Sequence, residues 1–228
     1  SPDPAERLAG VLAVDELVDA RALGEPSARV PAFAAHLDHA LATAGDDATL
    51  GAAADVYGHL ARGGGAAAAE AVEAAVRRCL DWLRSDARSG DRGDRRLAAA
   101  LALRALAESA PAVFNVHVRP FVDAVWAGLR DPRAPVRAAS AAALRACLVL
   151  VEARETRYRV QWYHRLFEES RRGLDAPGAP PEAVLGSLAA LRELLAHTGE
   201  FMLARHREVA AAALAFAASR DPSLRSAA

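Results

Sequence analysis

The sequence contains no lysine and no isoleucine, and Asn115 is its single asparagine. Aromatic residues make up only 5% of the chain. Because β-sheets draw on β-branched and aromatic side chains, these absences argue against a sheet fold. Alanine, the best helix former, supplies 59 of the 228 residues, and apolar residues together reach 53%. The composition predicts an all-α protein whose core is built from small and aliphatic side chains.

Other absences argue against particular partners and locations. A net charge of −1 leaves no basic excess for a nucleic-acid groove, so no nucleic-acid partner is expected. The two cysteines, Cys79 and Cys147, lie far apart in apolar segments, which indicates buried, reduced thiols of an intracellular protein. There is no signal peptide and no uncharged apolar run of about 18 residues, so no transmembrane segment is expected.

Apolar residues recur at helical spacing through most of the chain, as in the stripe formed by Val136, Leu144 and Val151. Pro31 is expected in the first turn of its helix, Asp131 is expected to cap a helix, and Pro120 should kink or split its helix. The pattern predicts about ten helices, over 5–22, 29–44, 47–62, 67–85, 94–109, 112–130, 133–154, 160–175, 181–197 and 202–219.

Acidic turn residues recur at intervals of 40 to 46 residues: Asp46, Asp91, Asp131, Asp175 and Asp221. The best copy runs from Asp131-Pro132 to Val136-Arg137, and Asp221-Pro222 restarts it. Two helices in a period of about 40–47 residues are typical of HEAT or armadillo repeats, whose hairpins stack to share one core. We predict an α-solenoid, an armadillo-like superhelix of about five HEAT-type helical hairpins. It forms a single array over 1–228, with approximate repeats 5–44, 47–85, 94–130, 133–175 and 181–219.

The repeat turns supply the candidate structural residues: Asp131, Pro132, Val136, Arg137, Asp221 and Pro222. In such arrays the arginine that opens the second helix often reaches the acidic turn of an adjacent repeat, so Arg137 and Asp131 are candidates for a ladder of ion pairs. The alternative is that Arg137 is a solvated surface arginine. The chain begins at Ser1 without methionine and stops at Ala228 where a new helix would start, so we expect a fragment of a longer polypeptide.

Catalytic patterns are missing from the sequence. His36 and His39 stand three residues apart near Asp38, with His59 in the next helix, but no H-E-x-x-H or cysteine cluster accompanies them, which favours boundary histidines. No G-x-S-x-G elbow, phosphate loop or kinase element occurs. We therefore predict no catalytic, cofactor-binding or metal-binding residue in this chain, and inert core thiols at both cysteines.

Two further features have alternative interpretations. The charged stretch from Arg84 to Arg96 could be a recognition loop, although a solvated connection between helices is the more common explanation. Trp82, Trp126 and Trp162 are 44 and 36 residues apart, which is close to the repeat period. This spacing favours packing between repeats over a binding stripe.

An ordered series of motifs resembles the amino-terminal HEAT region of target-of-rapamycin (TOR) kinases. It comprises P-F-x-D-x-x-W from Pro120, L-R-D-P from Leu129, A-L-R-A-C-L from Ala143 and W-Y-x-x-x-F-E-E from Trp162. The resemblance is strongest over 75–175 and weaker over the rest of the chain. The glycine- and alanine-rich segment 63–70 and the proline-rich linker 175–181 depart from the family pattern.

The resemblance implies that the parent protein is a dimeric serine/threonine kinase that matches growth to nutrients. Its ATP- and magnesium-using kinase domain would lie far downstream. The HEAT array would be a scaffold that contacts the adaptor subunit of a TOR complex and, in some lineages, a small GTPase. The implied location is cytoplasmic, with peripheral association with lysosomal or vacuolar membranes and a nuclear pool. The alternatives are a free-standing HEAT adaptor of the transport or phosphatase-scaffold type, and a helical-repeat enzyme or nucleic-acid binder.

Overall fold

A computed structural model describes residues 3–20, 26–63, 65–85, 91–154 and 159–227. Within these ranges the chain forms helices and turns and contains no strand, so the all-α class predicted from composition is confirmed. The helices group into two compact units, Ser1–Phe121 and Val122–Ala228. The finer division into five repeats stays a prediction.

In the first unit the helices alternate between two rows. The elements are α1 (Pro4–Val18), α2 (Pro26–Thr43), α3 (Asp47–Gly63), α4 (Gly65–Arg84), α5 (Asp91–Ser109), α6 (Pro111–Phe114), a 3-10 turn (Asn115–His117) and the start of α7 (Val118–Leu129). Helix α3 packs between α1 and α5, and α2 packs against α4, while α2 also contacts α3 and α4 contacts α5. This side-by-side stacking of helical hairpins is the arrangement that the solenoid prediction requires.

The second unit contains most of α7 and the remaining helices. These are α8 (Ala134–Ala153), α9 (Arg159–Asp175), α10 (Pro181–His197), α11 (Glu200–Leu203), α12 (His206–Ala217) and α13 (Pro222–Ala227). Helix α10 packs against both α8 and α9, and α13 packs against α10 and α12. The single helix expected over 202–219 is wrong, because it is divided into α11 and α12 by a turn at Ala204–Arg205.

Close approach between helices depends on the smallest side chains. Helix α5 buries Ala98, Ala99, Ala100 and Ala102 completely, which explains why a core poor in aromatic residues still packs tightly. The tightest contact involves Gly186 of α10. A Cβ atom at that position would lie 2.3 Å from the carbonyl oxygen of Leu129, at the end of α7.

Two prolines test the predicted helix boundaries. Pro120 lies in the first turn of α7, and the 3-10 turn upstream separates α6 from α7, so the predicted split into a short piece and a longer helix is confirmed. The first-turn position expected for Pro31 is wrong, because α2 starts at Pro26 and Pro31 lies inside the helix. Pro26 begins the helix instead, where proline has no N–H to lose.

One described helix, α8, is long and apolar enough to cross a bilayer. However, 61% of its most apolar window is buried inside the protein, and core helices of globular proteins have the same composition. Helices α5 to α7 meet the same criterion only as a sharply bent pair, so the structure provides no clear transmembrane segment within the described residues.

Candidate interaction surface

The turn before α8 is organised around Asp131, which is only 2% exposed. Its Oδ1 accepts a hydrogen bond from the backbone N–H of Arg133 at 2.9 Å. The predicted N-cap role of Asp131 is wrong: Arg133 is the N-cap residue of α8, and Pro135 is the proline of its first turn. Asp131 instead closes the turn that leads into the helix.

Arg137 is held to this same turn through main-chain carbonyls. One terminal nitrogen of its guanidinium donates to the carbonyl oxygens of Asp131, at 2.9 Å, and Pro132, at 2.7 Å. Val136 beside it is fully buried and anchors the start of α8 in the core. The reach of this pair to a neighbouring repeat stays a prediction.

The turn before α13 repeats this geometry in a shifted register. Arg225 donates to the carbonyls of Ser219, at 2.7 Å, and Arg220, at 3.0 Å, which lie six and five residues upstream, as Asp131 and Pro132 do for Arg137. Ser219 Oγ accepts from the N–H of Asp221, as the Asp131 carboxylate accepts from Arg133. The structural equivalent of Asp131-Pro132 is therefore Ser219-Arg220.

Asp221 has a different local role from Asp131, because its Oδ1 accepts from the N–H of Ser223 at 2.8 Å in the first turn of α13. Pro222 begins that helix. Asp221-Pro222 thus lies two residues downstream of the positions that are structurally equivalent to Asp131-Pro132. Arg137 and Arg225, in contrast, are structurally equivalent, and they lie 88 residues apart, which is two periods of 44 residues.

The other acidic turn residues also differ from one another. Asp46 caps α3, where the N–H of Thr49 donates to its Oδ1 at 2.7 Å, and this hydrogen bond lowers the pKa of Asp46. Asp175 ends α9 and pairs with Arg171 at 3.2 Å. Asp91 begins α5, but its side chain lies outside the described part of the structure.

A series of ion pairs joins helices that are one repeat apart. Within each pair the partners are separated in sequence by 40 to 49 residues, which is close to the repeat period. Each pair therefore links equivalent helices of successive hairpins. The pairs are His59–Asp15 between α3 and α1, Arg78–Asp38 between α4 and α2, Arg104–Asp55 between α5 and α3, Arg165–Asp123 between α9 and α7, and Arg145–Glu193 between α8 and α10.

The most buried of these pairs involves Glu193, which is 1% exposed. Arg145 binds its carboxylate with two nitrogens, at 2.9 and 3.0 Å, and Arg192 approaches at 3.1 Å. Burial alone would raise the pKa of Glu193, but the hydrogen bonds and positive charges of Arg145 and Arg192 outweigh it and lower the pKa.

His59 links α3 to α1 through both ring nitrogens. Nδ1 lies 2.7 Å from a carboxylate oxygen of Asp15, and Nε2 lies 3.1 Å from one of Asp19. Both nitrogens can donate only when the ring is protonated. The hydrogen bond to Asp15, opposed by partial burial and supported by Asp19, raises the pKa of His59.

The residues considered for metal binding are not brought together. His36 and His39 line a small cleft of about 130 Å³ with Glu6 and Gly10, while His59 contacts Asp15 of α1 and Asp19, the residue that follows this helix. Asp38 pairs with Arg78 instead of facing either histidine as a ligand. In the ranges that the structure describes, there is no group of three or more histidine, cysteine, aspartate or glutamate side chains suited to a metal ion.

Cys79 and Cys147 are both buried and unbonded to one another. Burial raises the pKa of each thiol to about 12. Because the thiolate is the reactive form, these side chains behave as core residues, as the sequence predicted.

The charged stretch between α4 and α5 is only partly described. Arg84 donates to the carbonyl of Pro120 at 3.0 Å, and Arg96 donates to that of Ser85, so both arginines tie helix ends together. Asp86 and Arg88 lie outside the described residues, as do the side chains of Asp91 and Arg92.

Two of the tryptophans pack against arginines that lie four residues downstream or upstream in the chain. The guanidinium of Arg78 lies 5.6 Å from the ring centre of Trp82, and that of Arg130 lies 4.8 Å from Trp126. Trp126 is buried, whereas Trp162 on α9 is partly exposed. The arginines therefore extend the packing of these rings to the edge of the core.

The open surfaces offer two concave regions of useful size. A groove of about 630 Å³ runs between α1 and α3, with small residues Ala48, Gly51 and Ala52 on its floor. A hollow of about 460 Å³ lies where the end of α8 and the start of α9 meet the turn before α11, and Tyr163 and Phe201 form part of its wall. Both are open to solvent and are not enclosed cavities.

Comparison with known proteins decides the family. The chain is 46% identical over 97% of its length to the serine/threonine-protein kinase TOR of Arabidopsis thaliana, and 45% identical over 99% to that of Oryza sativa. It is 32% identical over 99% of its length to tor1 of Schizosaccharomyces pombe. This chain belongs to the TOR family. No protein-family model matches it.

The TOR relatives are far longer than this chain, which spans 9% of the length of each of these three. Their names identify them as serine/threonine kinases, and the chain matches one short portion of them. The family resemblance predicted from the four ordered motifs is thereby confirmed.

Sequence reasoning missed the ion pairs between successive hairpins of this TOR segment. The available signal was the recurrence of opposite charges at the repeat spacing, such as Asp55 with Arg104 and Arg145 with Glu193. The spacing of the acidic turns does not show this signal, because the paired residues lie within helices. The hollow at Tyr163 and Phe201 had no sequence motif at all.

Proposed function

We propose that this segment is the scaffold arm of a TOR-type serine/threonine kinase in nutrient and growth signalling. It positions an adaptor subunit and a dimer partner relative to a kinase domain elsewhere in the polypeptide. The observation that carries the proposal is the match of nearly the whole chain to one short portion of proteins named as kinases. That portion is built from stacked helical hairpins and contains no kinase motif in its sequence.

The ion pairs between hairpins support a positioning role. A scaffold works through fixed geometry, and successive hairpins here are tied together by salt bridges as well as by apolar packing. ATP and magnesium would be used by the kinase domain of the whole protein, and no residue of this chain is assigned to them. The proposed location is the cytoplasm, with peripheral association with endomembranes and a nuclear pool.

A capture experiment tests the scaffold role. The immobilised 228-residue chain is incubated with the purified adaptor subunit of the TOR complex of the same organism, and in parallel with candidate small GTPases. Glu16→Arg reverses an exposed charge on α1, and Glu70→Arg does the same on α4, in the other helical row. We expect the wild-type chain to capture the adaptor and one of the two reversals to weaken capture selectively.

Two results would refute the proposal. Failure of the wild-type chain to capture the adaptor would remove the positioning role. ATP-dependent phosphotransfer by a clean preparation of this chain would show that its activity is not limited to scaffolding.

A further inference from the structure

Two arginines, here called the arginine pair, converge on the surface of α8 and α10. Arg145 and Arg192 lie 47 residues apart, and each ends a copy of the sequence Ala-Ala-Leu-Arg. Both guanidiniums donate to the same oxygen, Oε1 of Glu193, at 3.0 and 3.1 Å. The shared carboxylate is buried, whereas the two arginine side chains are 53% and 69% exposed. The pair is therefore fixed by a buried group and remains open to solvent.

The arginine pair keeps donors and positive charge that Glu193 does not use. Arg145 donates to it through Nε and Nη2, and Arg192 through Nη2, while no described residue binds Nη1 of either. Glu193 is the only acidic residue within 134–149 of α8 and 183–196 of α10. The next carboxylate along α8, that of Glu152, is seven residues beyond Arg145, about two helical turns away. This face therefore has an excess positive charge.

Two exposed apolar side chains border the arginine pair. Val149 is 48% exposed and lies four residues after the arginine of α8, and Leu195 is 47% exposed and lies three residues after that of α10. Residues at these spacings are neighbours on a helix surface. Glu152, near the end of α8, and Thr198, which caps the end of α10, line the same hollow, so the two helices run in the same direction. Both apolar side chains therefore lie on the same side of the arginine pair.

We propose that this face of α8 and α10 binds an acidic amphipathic segment of a partner protein. A carboxylate of the segment accepts from the free Nη1 groups of Arg145 and Arg192, and an apolar side chain of the segment packs on Val149 and Leu195. Charge complementarity selects this partner, because a basic segment would be repelled by the arginine pair. The contacts with Glu193 hold both guanidiniums in place before binding, which lowers the entropy cost of association. The inference rests on the proposed function, since it gives the chemistry of one surface through which the scaffold binds.

A matched pair of minimal probes tests the chemistry of this face. N-acetyl-L-glutamyl-L-leucine amide is titrated into the isotopically labelled 228-residue chain. The backbone amides of Val149 and Leu195 and the Nε–H groups of Arg145 and Arg192 are followed by NMR. N-acetyl-L-glutaminyl-L-leucine amide has nearly the same shape without the charge. We expect saturable shifts at these groups with the glutamyl probe and about tenfold weaker binding of the glutaminyl probe, which lacks the charge-assisted hydrogen bond.

Variants locate the interaction on the arginine pair. Arg192→Gln should weaken binding of the glutamyl probe about tenfold. Arg145 is left unchanged, because its loss would remove the two-point contact with buried Glu193. The matched control is Arg172→Gln on α9, which replaces an arginine that is 74% exposed and also paired with a glutamate of its own helix, and it should leave binding unchanged. Equal binding of the two probes, or an equal loss in Arg192→Gln and Arg172→Gln, would overturn the proposal.

Capture of the adaptor subunit separates this inference from the proposed function. Capture that falls about tenfold or more in Arg192→Gln/Leu195→Gln but persists in Arg172→Gln/Leu214→Gln, whose leucine on α12 is 67% exposed, supports both. Undiminished capture by the first double variant overturns the partner role of this face while the scaffold proposal stands. If the wild-type chain binds the glutamyl probe but captures no adaptor, the scaffold proposal fails and the chemistry of the face survives. Adsorption to phosphatidylserine vesicles that Arg192→Gln abolishes, without binding of the glutamyl probe, would assign the face to a membrane and overturn the inference.

Discussion

Replacing Gly186 by alanine should destabilise the second unit, because α10 meets the end of α7 with no room for a side chain. The added Cβ would lie 2.3 Å from the carbonyl oxygen and 2.7 Å from the carbonyl carbon of Leu129. Ordinary van der Waals contact begins at 3.4 Å, so the helices would have to separate by about 1 Å. The obstacle is backbone, which cannot rotate away as a side chain can.

The expected loss in the free energy of unfolding is the difference between two opposing effects. Overpacking of this kind costs about 3 kcal/mol, the upper end of the usual range, because backbone must move. Alanine regains about 1 kcal/mol over glycine in a helix interior, so the net loss is about 2 kcal/mol. For a chain of this size that corresponds to a fall in melting temperature of roughly 4–8 °C.

The chain offers a matched control in Gly51, which lies inside α3 and has open space where a Cβ atom would be added, with no neighbouring atom within 4 Å. Gly51→Ala should therefore raise stability by about 0.5–1 kcal/mol, since only the helix preference of alanine acts. Both variants are followed by far-UV circular dichroism during heating and by tryptophan fluorescence in urea. If Gly186→Ala is as stable as Gly51→Ala, the close contact between α10 and α7 is not as described.

Three further outcomes follow from the buried and titrating groups. Glu193→Gln should lower the free energy of unfolding in urea by about 1–3 kcal/mol, and Glu168→Gln serves as a neutral control. Because folding lowers the pKa of Glu193, the ionised carboxylate stabilises the fold at neutral pH. This stabilisation disappears as the pH falls below 4.5, the ordinary pKa of the group. Folding raises the pKa of His59 above 6.5, so the protonated ring stabilises the fold fully below pH 6.5, and this stabilisation is lost as the pH rises through the folded pKa. The urea midpoints of the wild type and His59→Gln should therefore converge at high pH. A difference between them that stays constant with pH would contradict this. Cys79 and Cys147 should react with a thiol reagent only after unfolding, and rapid labelling of the native chain would contradict their burial.

Long helices were predictable from the sequence because their apolar stripes are continuous. The spans expected at 160–175 and 181–197 match Arg159–Asp175 and Pro181–His197 almost residue for residue. The wrong predictions concern helix starts, where a residue a few positions away has the role that was predicted for another. Pro26 rather than Pro31 begins α2, and Arg133 rather than Asp131 caps α8. Spacing alone cannot rank two candidates that lie a few residues apart.

The candidate surface was less predictable than the fold. The ordered motifs identified the family, but they report shared packing and not a binding site. The hollow depends on Tyr163 and Phe201, which are 38 residues apart and meet only because α9 and α11 are neighbours in the folded chain. Nor did the sequence show that Ser219 takes the place of Asp131 in the last turn, since serine and aspartate accept the same backbone hydrogen bond.

The ion pairs define the register between helices whose alanine-rich faces define it only weakly. Faces of small side chains have little relief, so apolar packing alone distinguishes weakly between helix registers that differ by one turn, about 5.4 Å. A slip of that size would separate Arg145 from Glu193 and leave the buried carboxylate with only Arg192 and His197 of its own helix, a penalty even though the intact pair adds little net stability. The salt bridges therefore act mainly on register, and within each unit they fix the position of one hairpin on the next. Defined placement of the hairpins is the property that the proposed positioning role requires.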